Sequence, residues 1–150
     1  MKKTKLLTAE EQSMYEDFMR AFPFCMACGI TERAGAWWIN YPRWLQNAHI
    51  LGGPQRTHDR RNIVRLSKLA HDLAHNYDIR GQDGKYLPKL TRANMLWIKQ
   101  RHDPEYFDLD YLNKIGIQNM PEPEEPDSWF LAEFMKWQPE LWRRQIEAER

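Results

Sequence analysis

Residues 46–75 constrain the possible folds more than any other stretch of this chain. Apolar and polar residues first alternate as they do in a strand, and His49 lies on that strand. A Gly-Gly-Pro break and a polar, basic loop at 55–61 then lead to a β-branched run, which predicts a second strand that Asn62 opens. The order strand, loop, strand predicts a hairpin with a long loop.

A helix is predicted directly after this hairpin, from Lys68 to Asn76, with Ser67 as its N-cap. His71 and His75 are four residues apart, so a helix places them side by side on one face, opposite the leucines that can pack inward. Strand, loop, strand and helix together predict a ββα unit of about 30 residues with polar side chains on its functional side.

The whole chain is predicted to form one compact domain with appendages, since 150 residues is close to the usual size of a single domain. Its fold class is predicted as α+β, mostly helical, with a ββα core between N-terminal and C-terminal helical extensions. We expect the last segment to be loosely attached to the core. The boundaries are an N-terminal helix at 1–22, the core at 23–80, a helical extension at 81–120, an acidic, proline-rich linker at 121–126 and a helical tail at 127–150.

Charge is distributed unevenly along the chain. Residues 1–40 hold five basic and five acidic side chains, residues 41–101 hold twelve and four, and residues 102–150 hold five and twelve. The basic segment is also the one that carries the histidines and Asn62, which favours nucleic acid as a partner over a merely solvated surface. The side chains predicted to hold phosphates are Arg56, Arg60, Arg61, Arg65 and Lys68.

Several kinds of protein are disfavoured by the composition. No run approaches the roughly 18 apolar residues of a transmembrane helix, and the basic start lacks the apolar stretch of about 7–15 residues that a secretory signal needs. Cys25 and Cys28 are the two cysteines, too few for a disulfide framework, which fits a reducing compartment. We therefore expect a cytoplasmic protein with no membrane partner.

The residue types in the ββα unit suit the hydrolysis of a phosphodiester. That reaction needs a group that deprotonates water and a cation that neutralises the charge on the phosphate and the leaving oxygen. His49 is the candidate general base, because an imidazole titrates near neutrality. His71 and His75 are candidate ligands of a divalent transition metal. Asn62 either fixes the hairpin loop by hydrogen bonds or aims the base.

Residues 46–75, about a fifth of the chain, resemble the HNH endonuclease family, also called the ββα-metal nucleases. That family includes colicin nuclease domains, homing endonucleases and many phage proteins. A fuller version of its pattern begins with a C-x-x-C knuckle, and Cys25-Met26-Ala27-Cys28 stands at that place. The resemblance implies a phage or mobile-element type of endonuclease with His49 as the general base, Asn62 as the central Asn, His71 as the final His and His75 as a further metal ligand.

One departure from the family pattern concerns the metal. Many members carry a metal-binding Asp or His before the base, whereas this chain has Ala48, as some branches of the family do. A third protein ligand is therefore unassigned. Asn47, His58 and Asp59 are candidates by proximity in sequence, and water or substrate phosphate could fill the remaining positions of an open site.

A second departure concerns a structural zinc. The family's second knuckle often reads L-C-x-x-C-H, and here Ser67 and Ala70 occupy the places of its two cysteines. A four-cysteine zinc site is therefore not expected. Cys25 and Cys28 are either part of a packed loop or half of a zinc site that is completed elsewhere.

Three functions are compatible with the sequence. The leading hypothesis is an endonuclease that cuts DNA with one divalent ion, whether magnesium, manganese, nickel or zinc. The alternative is a catalytically inactive HNH-fold module that binds nucleic acid, which Ala48 motivates. The third is an interaction protein whose aromatic C-terminal helix docks a protein partner or covers the basic groove. A nuclease that breaks both strands would often act as a homodimer, because it needs two active sites.

Overall fold

The computed structural model describes residues 6–31, 44–80 and 84–127. Two strands form one antiparallel sheet, and four α-helices surround it, which agrees with the predicted mostly helical α+β class. The elements are α1 (Ala9–Ala21), β1 (Leu45–His49), β2 (Ile63–Ser67), α2 (Lys68–Ala74), α3 (Arg92–His102) and α4 (Leu109–Gly116). None of the helices in the described part of the chain is long and apolar enough to cross a membrane.

The predicted order of strand, loop, strand and helix is present. β1 pairs with β2 so that Leu45 lies opposite Ser67 and His49 lies opposite Ile63. The loop between the strands contains two short 3-10 turns, Gly53–Gln55 and Arg60–Asn62. His49 is therefore the last residue of β1, where the chain leaves the sheet.

Side-chain caps fix where the helices begin. Thr8 accepts a hydrogen bond from the Glu11 amide while Glu11 reaches back to the Thr8 amide, which makes a capping box at the start of α1. Thr91 caps α3 in the same reciprocal way, and Ser67 caps α2 as predicted. The first turns thus satisfy backbone donors that would otherwise lack partners.

One hydrophobic core joins the hairpin to all four helices. A two-stranded hairpin is marginally stable by itself, so the packing of helices against it holds the strands in place. Each fully buried leucine contributes roughly 1.5–3 kcal/mol relative to exposure. α2 buries Leu69 and Leu73 and leaves its histidine face outside the core, as the sequence predicts. Other fully buried core side chains are Phe18, Ile63, Val64, Leu66, Leu96, Ile98 and Leu112.

The hairpin loop is tied to α3 by a buried ionic cluster. The Lys99 ammonium is 0% exposed and lies 2.7 Å from an Asp103 carboxylate oxygen and 2.6 Å from the Arg60 carbonyl oxygen. The Arg60 guanidinium donates two hydrogen bonds of 3.0 Å to the same carboxylate. Burial lowers the pKa of Lys99 to about 8, although the Asp103 hydrogen bond opposes that shift.

The acidic segment after α4 is attached to the core. The Glu124 amide donates to the Ala93 carbonyl oxygen at 3.0 Å, and the Asn94 side chain donates to the Glu124 carbonyl oxygen at 2.8 Å. The linker predicted at 121–126 therefore lies against the start of α3. The rest of the predicted tail, from residue 128 onward, is outside the described residues.

Replacing Asp103 with Ala is expected to destabilise the fold by about 3–5 kcal/mol, because it leaves a buried ammonium without its counter-charge. Urea unfolding at pH 7 measures the loss. Asp17→Ala is the matched control, since it removes the exposed ion pair with Arg20 and is expected to cost about 0–1 kcal/mol. Equal losses in the two variants would contradict a structural role for the buried cluster.

Candidate functional site

A pocket of about 420 Å³ lies between the end of β1, the histidine face of α2 and the beginning of α3. It brings together three of the side chains that the sequence singled out, His49, His71 and His75. Asn76, Lys89, Thr91 and Arg92 complete its polar lining. The predicted base and the predicted metal ligands therefore share one pocket.

His71 and His75 form a close pair. Their Nε2 atoms are 3.0 Å apart, and their ring centroids are 4.6 Å apart. The Gln46 side-chain oxygen lies 2.6 Å from Nδ1 of His71. Because an amide oxygen only accepts, His71 carries its proton on Nδ1 and presents the lone pair of Nε2 to His75. Burial is the largest cause that lowers the pKa of His71, which favours the neutral, ligating form of the ring.

His49 is half-buried, and its Nε2 lies 3.2 Å from the hydroxyl oxygen of Tyr15. Burial is the largest cause that lowers the pKa of His49, to about 4, and the positive charge of Arg56 lowers it further. The ring is therefore neutral at physiological pH, which is the form that accepts a proton.

The three side chains proposed from sequence as a third metal ligand have other partners. His58 lies 2.7 Å through Nδ1 from the Tyr15 hydroxyl, Asp59 pairs with Arg61, and Asn47 accepts from Arg65. None of these three side chains lines the pocket that holds His71 and His75. In the described ranges no three histidine, cysteine or acidic side chains converge on one point.

Asn62 is buried and closes the hairpin loop. Its side-chain nitrogen donates to the Leu51 carbonyl oxygen at 3.0 Å, and its side-chain oxygen accepts from the Leu51 amide at 2.9 Å. Of the two roles that the sequence left open, the contacts match the fixing of the loop. Both polar atoms of the side chain are engaged there rather than with an imidazole.

The five basic side chains predicted to hold phosphates differ in their contacts within the protein. Most of these cations have partners within the protein, some of them close in sequence and others distant. Arg56 alone among them is exposed without an ion pair to any described residue, and its charge lowers the pKa of His49. The internal pairs are Arg60 with Asp103, Arg61 with Asp59 and Asp108, Arg65 with Asn47, and Lys68 with Asp72.

Cys25 and Cys28 are buried with unbridged thiols. Burial raises the pKa of Cys25, but hydrogen bonds from Cys28 and from the Ser67 backbone and hydroxyl outweigh it and bring that pKa to about 6. Burial raises the pKa of Cys28. In the described residues no third metal-ligating side chain joins the two thiols.

Sequence reasoning missed four residues of this region. Tyr15 lies on α1, and its hydroxyl contacts two imidazoles; a tyrosine on a buried face usually needs such a partner. Gln46, a polar residue on a half-buried strand, orients His71. Lys89 and Arg92 flank the α3 cap and line the pocket, which their positions in the sequence did not indicate.

No protein-family model, no curated protein and no solved structure matches this chain.

The low pKa of His49 predicts how stability depends on pH. An unfolded histidine takes up its proton near pH 6.5 and His49 in the folded protein near pH 4, so the unfolded state binds more protons between these values. Stability should therefore fall as the pH drops from about 6.5 to about 4. Urea midpoints measured across this range should show a shallower fall for His49→Gln than for the unaltered protein. An identical pH dependence in the two proteins would contradict the lowered pKa.

Proposed function

We propose that the protein is a metal-dependent endonuclease of the HNH type that hydrolyses DNA phosphodiester bonds. The observation that carries this proposal is the placement of a neutral imidazole, His49, in the same pocket as the close pair His71 and His75. The strand, loop, strand, helix order of residues 45–74 agrees with the resemblance to that family. Two unbridged cysteines fit a reducing, cytoplasmic setting.

His49 supplies the general base. Its lowered pKa leaves the ring uncharged, and its place in the pocket lining gives it access to a water molecule beside a bound phosphate. The proton of that water passes to the imidazole as the oxygen attacks phosphorus and the bond to the leaving oxygen breaks. A positioned general base contributes about 10²–10⁴-fold in rate.

His71 and His75 are the residues that would hold the divalent ion. Two imidazoles bonded at about 2.0–2.1 Å to one tetrahedral metal have nitrogens about 3.3 Å apart, close to the 3.0 Å between their Nε2 atoms. Gln46 fixes the His71 tautomer that ligates through Nε2. The exposed His75 ligates in the same way once its proton resides on Nδ1. A bound ion would supply positive charge against the phosphate and the leaving oxygen.

Cations around the pocket would hold the DNA backbone. Arg92 is exposed at the start of α3, and Lys89 lines the same wall of the pocket. Arg56 is exposed on the hairpin loop near His49. This set differs from the one expected from sequence, since the neighbouring arginines on the loop are engaged with carboxylates. Lys89 is engaged in the same way, since its ammonium lies 2.6 Å from an Asp78 carboxylate oxygen. The proposal therefore assigns phosphate contact to Arg56 and Arg92.

The second candidate is an inactive module of the same fold that binds nucleic acid. It is favoured by Ala48, which is buried and offers no ligand before the base, and by the pairing of His71 and His75 without a third protein ligand in the described residues. This candidate predicts DNA binding without cleavage.

Nicking of supercoiled plasmid DNA tests the proposal. The unaltered protein is expected to nick in the presence of magnesium, manganese, nickel or zinc and not with a chelator. His49→Ala should lower the rate by about 10²-fold or more, because it removes the base. His102→Ala is the matched control, since His102 ends α3 and contacts Phe24 instead of the pocket. If the unaltered protein shifts DNA in a gel but cuts with no ion, the binding module replaces the nuclease.

The hydrogen bond from Gln46 predicts an effect on metal affinity. Gln46→Ala should weaken binding of the ion by about 10–100-fold, because His71 loses the partner that fixes its tautomer. Calorimetric titration with manganese and zinc measures the change. Asn47→Ala removes a neighbouring amide that bonds to Arg65 instead, and it should bind as the unaltered protein does. Equal affinities for Gln46→Ala and Asn47→Ala would refute this role.

A further inference from the structure

We propose that Tyr15 and His58 are positioning residues that hold the His49 imidazole in one tautomer, with Nδ1 as its unprotonated nitrogen. The inference rests on the proposed function only in taking His49 as the base. It is carried by one hydroxyl group that lies within hydrogen-bond distance of two imidazoles, 3.2 Å from Nε2 of His49 and 2.7 Å from Nδ1 of His58.

The difference between the two distances favours one direction for each hydrogen bond. A tyrosine hydroxyl has one proton, so it donates to one of the rings and accepts from the other. Bonds donated by a hydroxyl are shorter, about 2.7–2.8 Å, than those donated by a ring nitrogen, about 2.9–3.0 Å. Tyr15 therefore donates to Nδ1 of His58 at 2.7 Å and accepts the Nε2 proton of His49 at 3.2 Å.

This arrangement decides which nitrogen of His49 is available for chemistry. With its proton on Nε2, the neutral ring carries its lone pair on Nδ1. Nδ1 is thus the atom that takes the proton from water, and Tyr15 keeps its own proton throughout. When the ring becomes an imidazolium, its bond to the Tyr15 oxygen becomes charge-assisted and stronger.

Separate parts of the fold anchor the two positioning side chains. Tyr15 lies in the middle of α1, which is capped at Thr8 and held in the core by fully buried Phe18. His58 lies on the hairpin loop, whose two ends Asn62 and Leu51 join. The Tyr15 and His58 rings meet edge to face, with centroids 5.7 Å apart. Burial raises the pKa of Tyr15, which keeps the hydroxyl protonated as a donor.

Nitrogen NMR of the protein labelled with ¹⁵N-histidine tests the proposal without any substrate, because it reports which ring nitrogen carries the proton. His49 should show the Nε2-protonated tautomer alone in the unaltered protein. Tyr15→Phe keeps the ring but removes the hydroxyl, so His49 should then show a mixture of both tautomers. His58→Asn, whose amide oxygen can accept in place of Nδ1, should preserve the single tautomer better than His58→Ala.

Tyr111→Phe is the matched control, since the Tyr111 hydroxyl bonds at 2.9 Å to Thr57 on the same loop. It should leave the tautomer of His49 unchanged. In nicking assays Tyr15→Phe should lower kcat by about 10–100-fold with little change in KM, as expected for loss of orientation of the base. A His49 that is protonated on Nδ1, or whose tautomer Tyr15→Phe leaves unchanged, would overturn the proposal. Absence of nicking by the unaltered protein would count against the nuclease alone.

Discussion

Asn62 closes the long loop between β1 and β2 through its two hydrogen bonds to Leu51, and the pocket depends on that closure. The Ile50 amide also donates to the Asn62 carbonyl oxygen, at 2.8 Å, so pairing continues past the last residue of β1. The closed loop keeps His49 at the strand end and brings His58 back towards α1. Leaving buried polar groups unsatisfied costs about 1–3 kcal/mol each, which opposes opening of the loop.

The basic side chains of this protein have two different roles, and a count of charged residues does not distinguish them. Arg60 and Lys99 are 39 residues apart in the basic segment and meet at Asp103, where they join the loop to α3. Arg56 and Arg92 remain exposed beside the histidines. The excess of positive charge in residues 41–101 is therefore divided between holding the site together and leaving cations available at its rim.

Local patterns were sufficient to predict the elements, whereas contacts between them were not predictable from one sequence. The cap at Ser67 and the four-residue spacing of His71 and His75 are local patterns of this kind, and the structure has both. The bond between Gln46 and His71 spans 25 residues, and that between Tyr15 and His49 spans 34. These bonds depend on how α1 and α2 pack around the hairpin, which periodicity alone does not determine.

We propose that His71 and His75 bind a divalent ion beside the base. A crystal soaked in manganese or zinc tests this most directly. An anomalous difference map should show one peak bonded to Nε2 of both residues, at about 2.0–2.1 Å for zinc. His71→Ala crystals should lack that peak. A soaked crystal with no peak in the pocket, or with its peak at Cys25 and Cys28, would contradict the account.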